Sequence, residues 1–241
     1  MKNFVGAKRG AGVAEWIVSQ MPPHTLYVEA FLGTGAVMRR KAPARASIAI
    51  EADRQVISDY GAGLIALPGY EGLQIAEGDA FDILSRLCLG PDSLVYCDPP
   101  YLGAVRSAVN RVYYGREMMS SADHERLLQL LLRLPGQVMI SGYWSQLYSS
   151  RLQGWRSSTK WTSNRAGKRV QEWLWMNFRQ PAVLHDARFV GDSFTDRQRI
   201  KRKVARWYRR FLSMKPGERA AVWAALSSSM VAAGYGGRHG P

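Results

Sequence analysis

Short apolar runs separated by longer amphipathic stretches dominate the first two thirds of the chain. Leu26-Tyr27-Val28-Glu29-Ala30, Ser47-Ile48-Ala49-Ile50, Leu73-Gln74-Ile75-Ala76, Leu94-Val95-Tyr96-Cys97 and Gln137-Val138-Met139-Ile140 are each too short for a helix. They are bounded by turn formers and predict strands. Residues 122–134 carry a leucine-rich face at helical spacing, a short helix is expected over 144–152, and Ala36-Val37-Met38 is expected to open another. Two further strands are expected at 155–161 and 170–178, around the turn-forming, cationic run Asn164-Arg165-Ala166-Gly167-Lys168. Strands alternating with helices imply an α/β fold, a mainly parallel sheet with helices on both faces. Beyond it, Ile200, Val204, Trp207 and Phe211 recur at helical spacing, and a Pro216-Gly217-Glu218 turn precedes a second helix at 219–226. The organisation expected is one α/β domain over residues 1–180 and a basic helical extension over 181–241 packed on it, with a mobile glycine-rich tail from Gly234.

Charge narrows the partner. A net charge of +14 over 241 residues favours a polyanion, because cations that neutralise phosphates release counterions and dominate non-specific affinity. A merely soluble basic protein would have the same balance, and charge says nothing about fold. Cys88 and Cys97 sit in apolar surroundings without metal spacing, so small buried hydrophobes in a reducing compartment are expected, with no disulfide and no zinc. His24, His124, His185 and His239 are too scattered for a metal site, and structural or surface roles are expected for them. Trp161, Trp173 and Trp175 lie in strand-like segments and are expected in the core. No run approaches the roughly 20 apolar residues that cross a bilayer, and the N-terminus lacks a signal-like core, so a cytoplasmic protein with no membrane partner is expected.

The candidate chemistry begins at Asp98-Pro99-Pro100-Tyr101, directly after the fourth strand. Neither proline can donate to a sheet ladder, so the strand must stop and become a stiff loop at its carboxyl end, where open α/β sheets bind ligands. The loop would present a carboxylate, a backbone carbonyl and an aromatic face, a set that suits a flat base with an exocyclic amine. Aryl amines are weak nucleophiles. Asp98 and the Pro99 carbonyl could accept both N–H groups, the carboxylate would stabilise the positive charge that develops on attack, and Tyr101 would hold the ring by stacking. On four residues alone an ordinary Asp-Pro turn reads equally well. Upstream, Phe31-Leu32-Gly33-Thr34-Gly35 follows the first strand, and glycine there permits close backbone approach to a ligand. Glu51 and Asp53 follow the second strand, and Gly78-Asp79 follows the third, so acids recur at successive strand ends.

These motifs, in this order, resemble the D12-class, Dam-like DNA adenine-N6 methyltransferases, and the later Ser141-Gly142-Tyr143, Leu152-Gln153-Gly154-Trp155 and Glu172-Trp173-Leu174-Trp175-Met176-Asn177 resemble the phage-encoded members. The resemblance runs from Phe4 to Asn177. It implies a Rossmann-like fold of seven strands with one antiparallel, S-adenosylmethionine as cofactor, and transfer of its methyl group to adenine N6 of a base flipped from double-stranded DNA. Phe4 and Lys8 would contact the cofactor, although Phe4 stands where the family often has tryptophan. Glu29, Phe31, Gly33 and Gly35 would surround its methionine part, Glu51 would take the ribose with Asp53 as the alternative, and Asp79 would recognise its adenine. Asp98, Pro99, Pro100 and Tyr101 would hold the target base, and the Ser141-Gly142-Tyr143 strand end is expected to line the pocket, with Tyr143 a candidate site residue. Related cytosine enzymes usually carry serine where this chain has Asp98, so the acid favours adenine. An RNA adenine or cytosine-N4 methyltransferase, and a non-catalytic DNA-binding subunit, are the alternatives.

One departure concerns sequence readout. In the Dam branch a recognition insert lies between the motifs that hold Asp79 and Asp98, yet here little more than one helix and one strand separates them. DNA contacts are therefore expected later in the chain. Arg106, Asn110, Arg111, Tyr113, Tyr114 and Arg116 combine cations and aromatics next to Tyr101. Lys160, Arg165, Lys168 and Arg169 surround the last hairpin, where phosphate contact and a plain solvated turn are equal readings. Arg199, Arg202 and Arg206 belong to the dense cationic face of the helix at 196–211. No metal is expected, and oligomeric state and the choice between restriction and phage roles are left open.

Overall fold

The computed structural model describes residues 12–63, 67, 69–70, 72–102, 112–113, 116–117, 119–163 and 167–232. Phe4, Lys8, Arg106, Asn110, Arg111, Tyr114, Arg165 and the tail from Gly234 lie outside the described residues. After α1 (Val13–Val18), strands β1 (Leu26–Ala30), β2 (Ala46–Glu51), β3 (Leu73–Glu77) and β4 (Ser93–Cys97) alternate with α2 (Arg54–Gly61) and α3 (Ala80–Arg86). A two-strand hairpin of β5 (Val112–Tyr113) and β6 (Arg116–Glu117) precedes α4 (Ser121–Leu131), β7 (Gln137–Tyr143), α5 (Gln146–Arg151), β8 (Arg156–Ser163) and β9 (Arg169–Met176). Helices α6 (Phe194–Leu212) and α7 (Pro216–Ala232) end the described chain.

The main sheet has the order β3-β2-β1-β4-β7-β9-β8. Neighbours from β3 to β7 are parallel, and β9 is antiparallel to both β7 and β8, so one strand alone is reversed. This is the Rossmann-like methyltransferase arrangement expected from the sequence. Burial explains why the strands read so differently in sequence. Every residue of β4 is buried, as a central parallel strand covered on both faces must be, whereas edge strand β8 alternates half-buried and exposed positions. One core layer joins Tyr27, Tyr96 and Met139 to α1, and the other joins Val28, Val95 and Val138 to α3, α4 and α5.

Five helices begin in the same way. Asp53, Asp79, Ser120, Ser145 and Ser193 cap α2, α3, α4, α5 and α6 with side-chain oxygens that accept from the first-turn amides, and Ser120 with Asp123 completes a capping box. The helix expected from Ala36 does not form. Arg39 N–H donates to the Gly35 carbonyl, and the Arg40 and Lys41 amides both turn back to Val37, so residues 36–40 are turns. Pro43 lies too close to allow a longer helix before β2.

Two surface details also differ from expectation. Cys88 is exposed, because it lies in the loop that leaves α3, while Cys97 is buried in β4; both are free thiols. Trp161 points out from edge strand β8 and is 53% exposed, with the Arg169 guanidinium 4.7 Å above its ring. Trp175 is core, as expected, and Trp173 is partly buried beside it. Residues 185–189 are tied to the α/β unit: His185 N–H donates to the Met21 carbonyl, Asp186 accepts from the Ala42 amide, and Phe189 packs on the first core layer. Helix α6 continues from there with no buried residue.

Candidate active site

The strand order reverses direction between β1 and β4, since the chain runs outward through β2 and β3 and then crosses back to β4. Such a switch point leaves a crevice at the carboxyl ends of the two strands. The glycine loop leaves β1 there and Asp98 leaves β4, and the Asp98 amide reaches the Ala30 carbonyl at 3.4 Å. The two segments picked out by sequence are thus neighbours.

The β1 loop is held open by unusual backbone. Phe31, Gly33 and Gly35 all have positive φ, at 62°, 50° and 58°. For phenylalanine that conformation costs on the order of 1–3 kcal/mol and marks a constrained segment. At Gly35 even a methyl group would meet the Tyr60 hydroxyl at 2.6 Å. Glu51, at the end of β2, fastens the loop: one carboxylate oxygen accepts from Gly33 N–H and the other from the Ala52 and Asp53 amides, each at 2.8 Å. Asp53 is occupied as a cap on Gln55, and Asp79 as a cap on Phe81. Thr34 Oγ, within the loop, is buried with no hydrogen-bond partner among the described residues.

Asp98 is oriented from below. Ser141 Oγ of β7 donates to its carboxylate at 3.0 Å, and the buried Tyr96 hydroxyl lies 2.8 Å from the same serine oxygen. With Ser141 donating to Asp98, Tyr96 must donate to Ser141, so the relay has one direction. Tyr101 stacks on Tyr143, centroids 4.1 Å apart and planes 3° from parallel, and its hydroxyl donates to Glu172 at 3.2 Å. One face of Tyr101 is therefore already covered. A base stacked on it must use the other face or displace Tyr143. Beneath the loop, His124 of α4 contacts the Tyr148 hydroxyl at 2.9 Å, and burial lowers its pKa while the Pro100 carbonyl opposes that shift.

Glu172 and His124 were not identified from sequence as site residues. For Glu172 the signal was present, a carboxylate inside the otherwise uncharged strand segment Val170-Gln171-Glu172-Trp173-Leu174. It is 2% exposed and pairs in register with Tyr143 on one side and Lys160 on the other. That register also places the last hairpin. Because β8 runs with β7, Ser163 lies beyond Tyr143 on the same edge of the sheet, so Lys160, Lys168 and Arg169 flank the side that carries Asp98. Tyr113 and Arg116 face each other in the β5–β6 register. Arg199 is engaged with Asp196 at 2.7 Å, whereas Arg202 and Arg206 are exposed.

Glu29 lies one residue before the end of β1. It is buried in β1, accepts the Tyr27 hydroxyl at 2.7 Å, and has its pKa pushed up to about 8 by burial, opposed by the Tyr27 bond and reinforced by nearby Asp98. Lys41 shares this interior: its ammonium nitrogen lies 4.4 Å from the centre of the Tyr27 ring and 3.3 Å from His185, and burial lowers its pKa to about 7. A carboxyl whose folded pKa exceeds its unfolded value favours folding most when protonated. Its contribution is complete below the unfolded value near 4.5 and disappears as pH rises through about 8. Wild type should therefore lose stability relative to Glu29→Gln between about pH 5 and 8, by a few kcal/mol. Thermal melts of the two proteins across that range test this; parallel curves would refute a protonated Glu29.

Among the described residues no group of three His, Cys, Asp or Glu side chains could hold a metal, and no helix is long and apolar enough to cross a membrane. No family model and no curated protein sequence matches the chain. Solved structures do resemble it. A 23S rRNA methyltransferase, ErmE, aligns at 15% identity over 78% of this chain and 74% of its own, with a TM-score of 0.47. A conserved hypothetical protein from Streptococcus pyogenes aligns at 15% identity over 70% of this chain and 96% of its own, also with a TM-score of 0.47. A precorrin-6y C5,15-methyltransferase from Geobacter metallireducens aligns at 11% identity over 68% and 85%, with a TM-score of 0.45. Likeness at that level leaves the chemistry of this chain to be argued from its own crevice.

Proposed function

We propose that the chain transfers a methyl group from S-adenosylmethionine to adenine N6 in double-stranded DNA. The observation that carries this reading is the meeting, at one switch point, of the Asp98-Pro99-Pro100-Tyr101 loop and the positive-φ glycine loop. The crevice suits the cofactor: Phe31, Gly33 and Gly35 bring backbone close to a ligand, Thr34 Oγ has an unmet hydrogen-bonding capacity, and Glu51 and Asp79 stand at the next two strand ends. Bound there, the cofactor would supply a methyl group on a sulfonium sulfur.

The protein's own part is to make a weak amine react. Asp98, held by Ser141, accepts one N–H of the amine, and the Pro99 carbonyl accepts the other. Methylation would leave the nitrogen cationic, and the Asp98 carboxylate would stabilise that charge more than it stabilises the neutral amine. The extra proton would then pass from the ammonium to solvent, so no prior deprotonation is needed. Tyr101 supplies the stacking face, with its orientation fixed by Glu172 and Tyr143. The cations of the β8–β9 hairpin, on the same edge, would hold phosphates around an extruded base.

Mass spectrometry of nucleosides from DNA and RNA incubated with the protein and S-adenosylmethionine tests the assignment. N6-methyldeoxyadenosine is the expected product. N4-methylcytosine or methylated RNA adenosine alone would replace the substrate and keep the reaction; no methylated nucleoside in any substrate, with no cofactor binding by calorimetry, would refute both.

A further inference from the structure

Helix α7 carries no charged residue from Ala220 to Ala232, a composition that belongs inside a protein, yet Trp223 and Leu226 are 65% and 53% exposed. Helix α6 adds to the anomaly. At 100° per residue, Ile200, Val204, Trp207, Tyr208, Phe211 and Leu212 fall on one arc, and Arg199, Arg202, Lys203, Arg206, Arg209 and Arg210 on nearly the opposite one. The apolar arc is open: Val204, Trp207, Tyr208 and Leu212 are between 47 and 62% exposed. The two helices meet through Phe211 and Trp223, ring centroids 6.5 Å apart, which covers only part of either surface.

We propose that this hairpin is a self-association surface, on which two copies of the chain pack α6 and α7 against their counterparts as a four-helix bundle. The area is sufficient. If each of the six exposed side chains presents roughly 100 Å², one copy offers roughly 600 Å², the top of the range for the largest apolar patch of an ordinary monomer, and two copies cover roughly 1,200 Å², the lower end of stable interfaces. The charges fit as well. Six of the eight cations of α6 lie opposite the apolar arc, so pairing the arcs turns that cationic ridge outward and apart; Arg197 falls within the arc at the helix start, where its guanidinium donates to the Gly191 carbonyl. Lys201 falls within the arc near its border, where its stem can lie along the seam with its ammonium at the rim.

Two other occupants are separated from a second copy by the test below. A basic amphipathic helix can lie on an anionic lipid surface by such an arc with its cations at the headgroups, so vesicle flotation is the outcome that distinguishes it. Nucleic acid would engage the cations and leave the apolar arc uncovered. The α/β unit of the same chain buries no residue of α6. Because the seam is apolar while each copy carries +14, salt should strengthen association by screening repulsion, opposite to its effect on binding phosphates.

Sedimentation velocity of the full chain, at about 0.1 M and about 0.5 M salt, tests the proposal. Wild type should sediment at twice 27.0 kDa at micromolar concentration, more tightly at the higher salt. The double variant Trp207→Glu/Trp223→Glu should dissociate at least 100-fold more readily with an unchanged circular dichroism melt. Val204→Lys, on α6 alone, should weaken association by a smaller factor and serves if the double variant melts early. A wild type that stays monomeric at both salts, or variants that associate like wild type, would overturn it. So would flotation of a monomeric wild type with phosphatidylserine vesicles that the double variant loses. The inference is independent of the reaction proposed above, since it rests on α6 and α7 alone.

Discussion

Asp98→Ala should lower the rate of methyl transfer by about 10³-fold or more and leave S-adenosylmethionine affinity within a few-fold of wild type. The carboxylate matters most in the transition state, where it faces a forming cation, so its removal acts on kcat more than on any ground-state binding. The buried relay beneath it makes the expectation more specific. Tyr96 donates to Ser141 and Ser141 to Asp98, so Asp98 is aimed by a hydrogen bond from β7. Ser141→Ala removes the aim and keeps the charge. It should lower kcat about tenfold with KM for DNA nearly unchanged, a split that a general loss of stability would not give. Asp98→Asn keeps the shape and one acceptor but loses the charge, and should fall between the two. Single-turnover methylation with tritiated cofactor, alongside calorimetry of cofactor binding, reads all three. An active Asp98→Ala enzyme would overturn the proposed mechanism.

How much of this was legible in sequence depended on how local the signal was. The central strands were, because Leu94 to Cys97 is buried on both faces and so reads as an unbroken apolar run, as does Leu26 to Ala30 apart from Glu29. The stop at Pro99 and the turn at Gly33 and Gly35 were also local facts of backbone chemistry. The failed helix at Ala36 shows the limit: a three-residue apolar stretch is compatible with a helix, but the short path to β2 through Pro43 allows only turns. Trp161 shows another, since strand membership predicts a wall but not which wall, and an edge strand has one side in solvent. The partners of the site residues were illegible for a plainer reason. Tyr101 and Glu172 are far apart in sequence and meet only because β9 is inserted next to β7 in reverse, a decision of topology that no short window contains. Ser141 and Tyr143 were legible in part, since their strand end was expected at the pocket, but which atoms they meet is set by the pairing of β7 with β4.

Glu51 and Asp53 were alternatives for the cofactor's ribose, and the structure gives them different duties that mutation can separate. Asp53 caps α2 through Gln55, a bond worth about 1 kcal/mol, and Asp53→Ala should cost that much stability with cofactor affinity nearly unchanged. Glu51 accepts from three backbone amides, one of which belongs to Gly33 in the loop that would hold the cofactor. A carboxylate has about four acceptor positions, so one remains for a ribose hydroxyl. Glu51→Gln is the informative change, because it keeps the volume and replaces one acceptor oxygen with an NH₂ group that must face amide donors. At least one backbone N–H then loses its partner and meets another donor, a cost of about 2–3 kcal/mol. For a chain of this size that lowers the melting temperature by about 5–10 °C. Cofactor affinity should fall about 100-fold, since the Gly33 segment is released and a ribose acceptor is lost together. Glu51→Ala should lose as much affinity but less stability, because water can reach the amides in the space that opens. Calorimetry and thermal melts on the three variants decide between the acids: a collapse of binding in Asp53→Ala with Glu51→Gln unaffected would move the ribose to Asp53 and reduce Glu51 to a loop fastener.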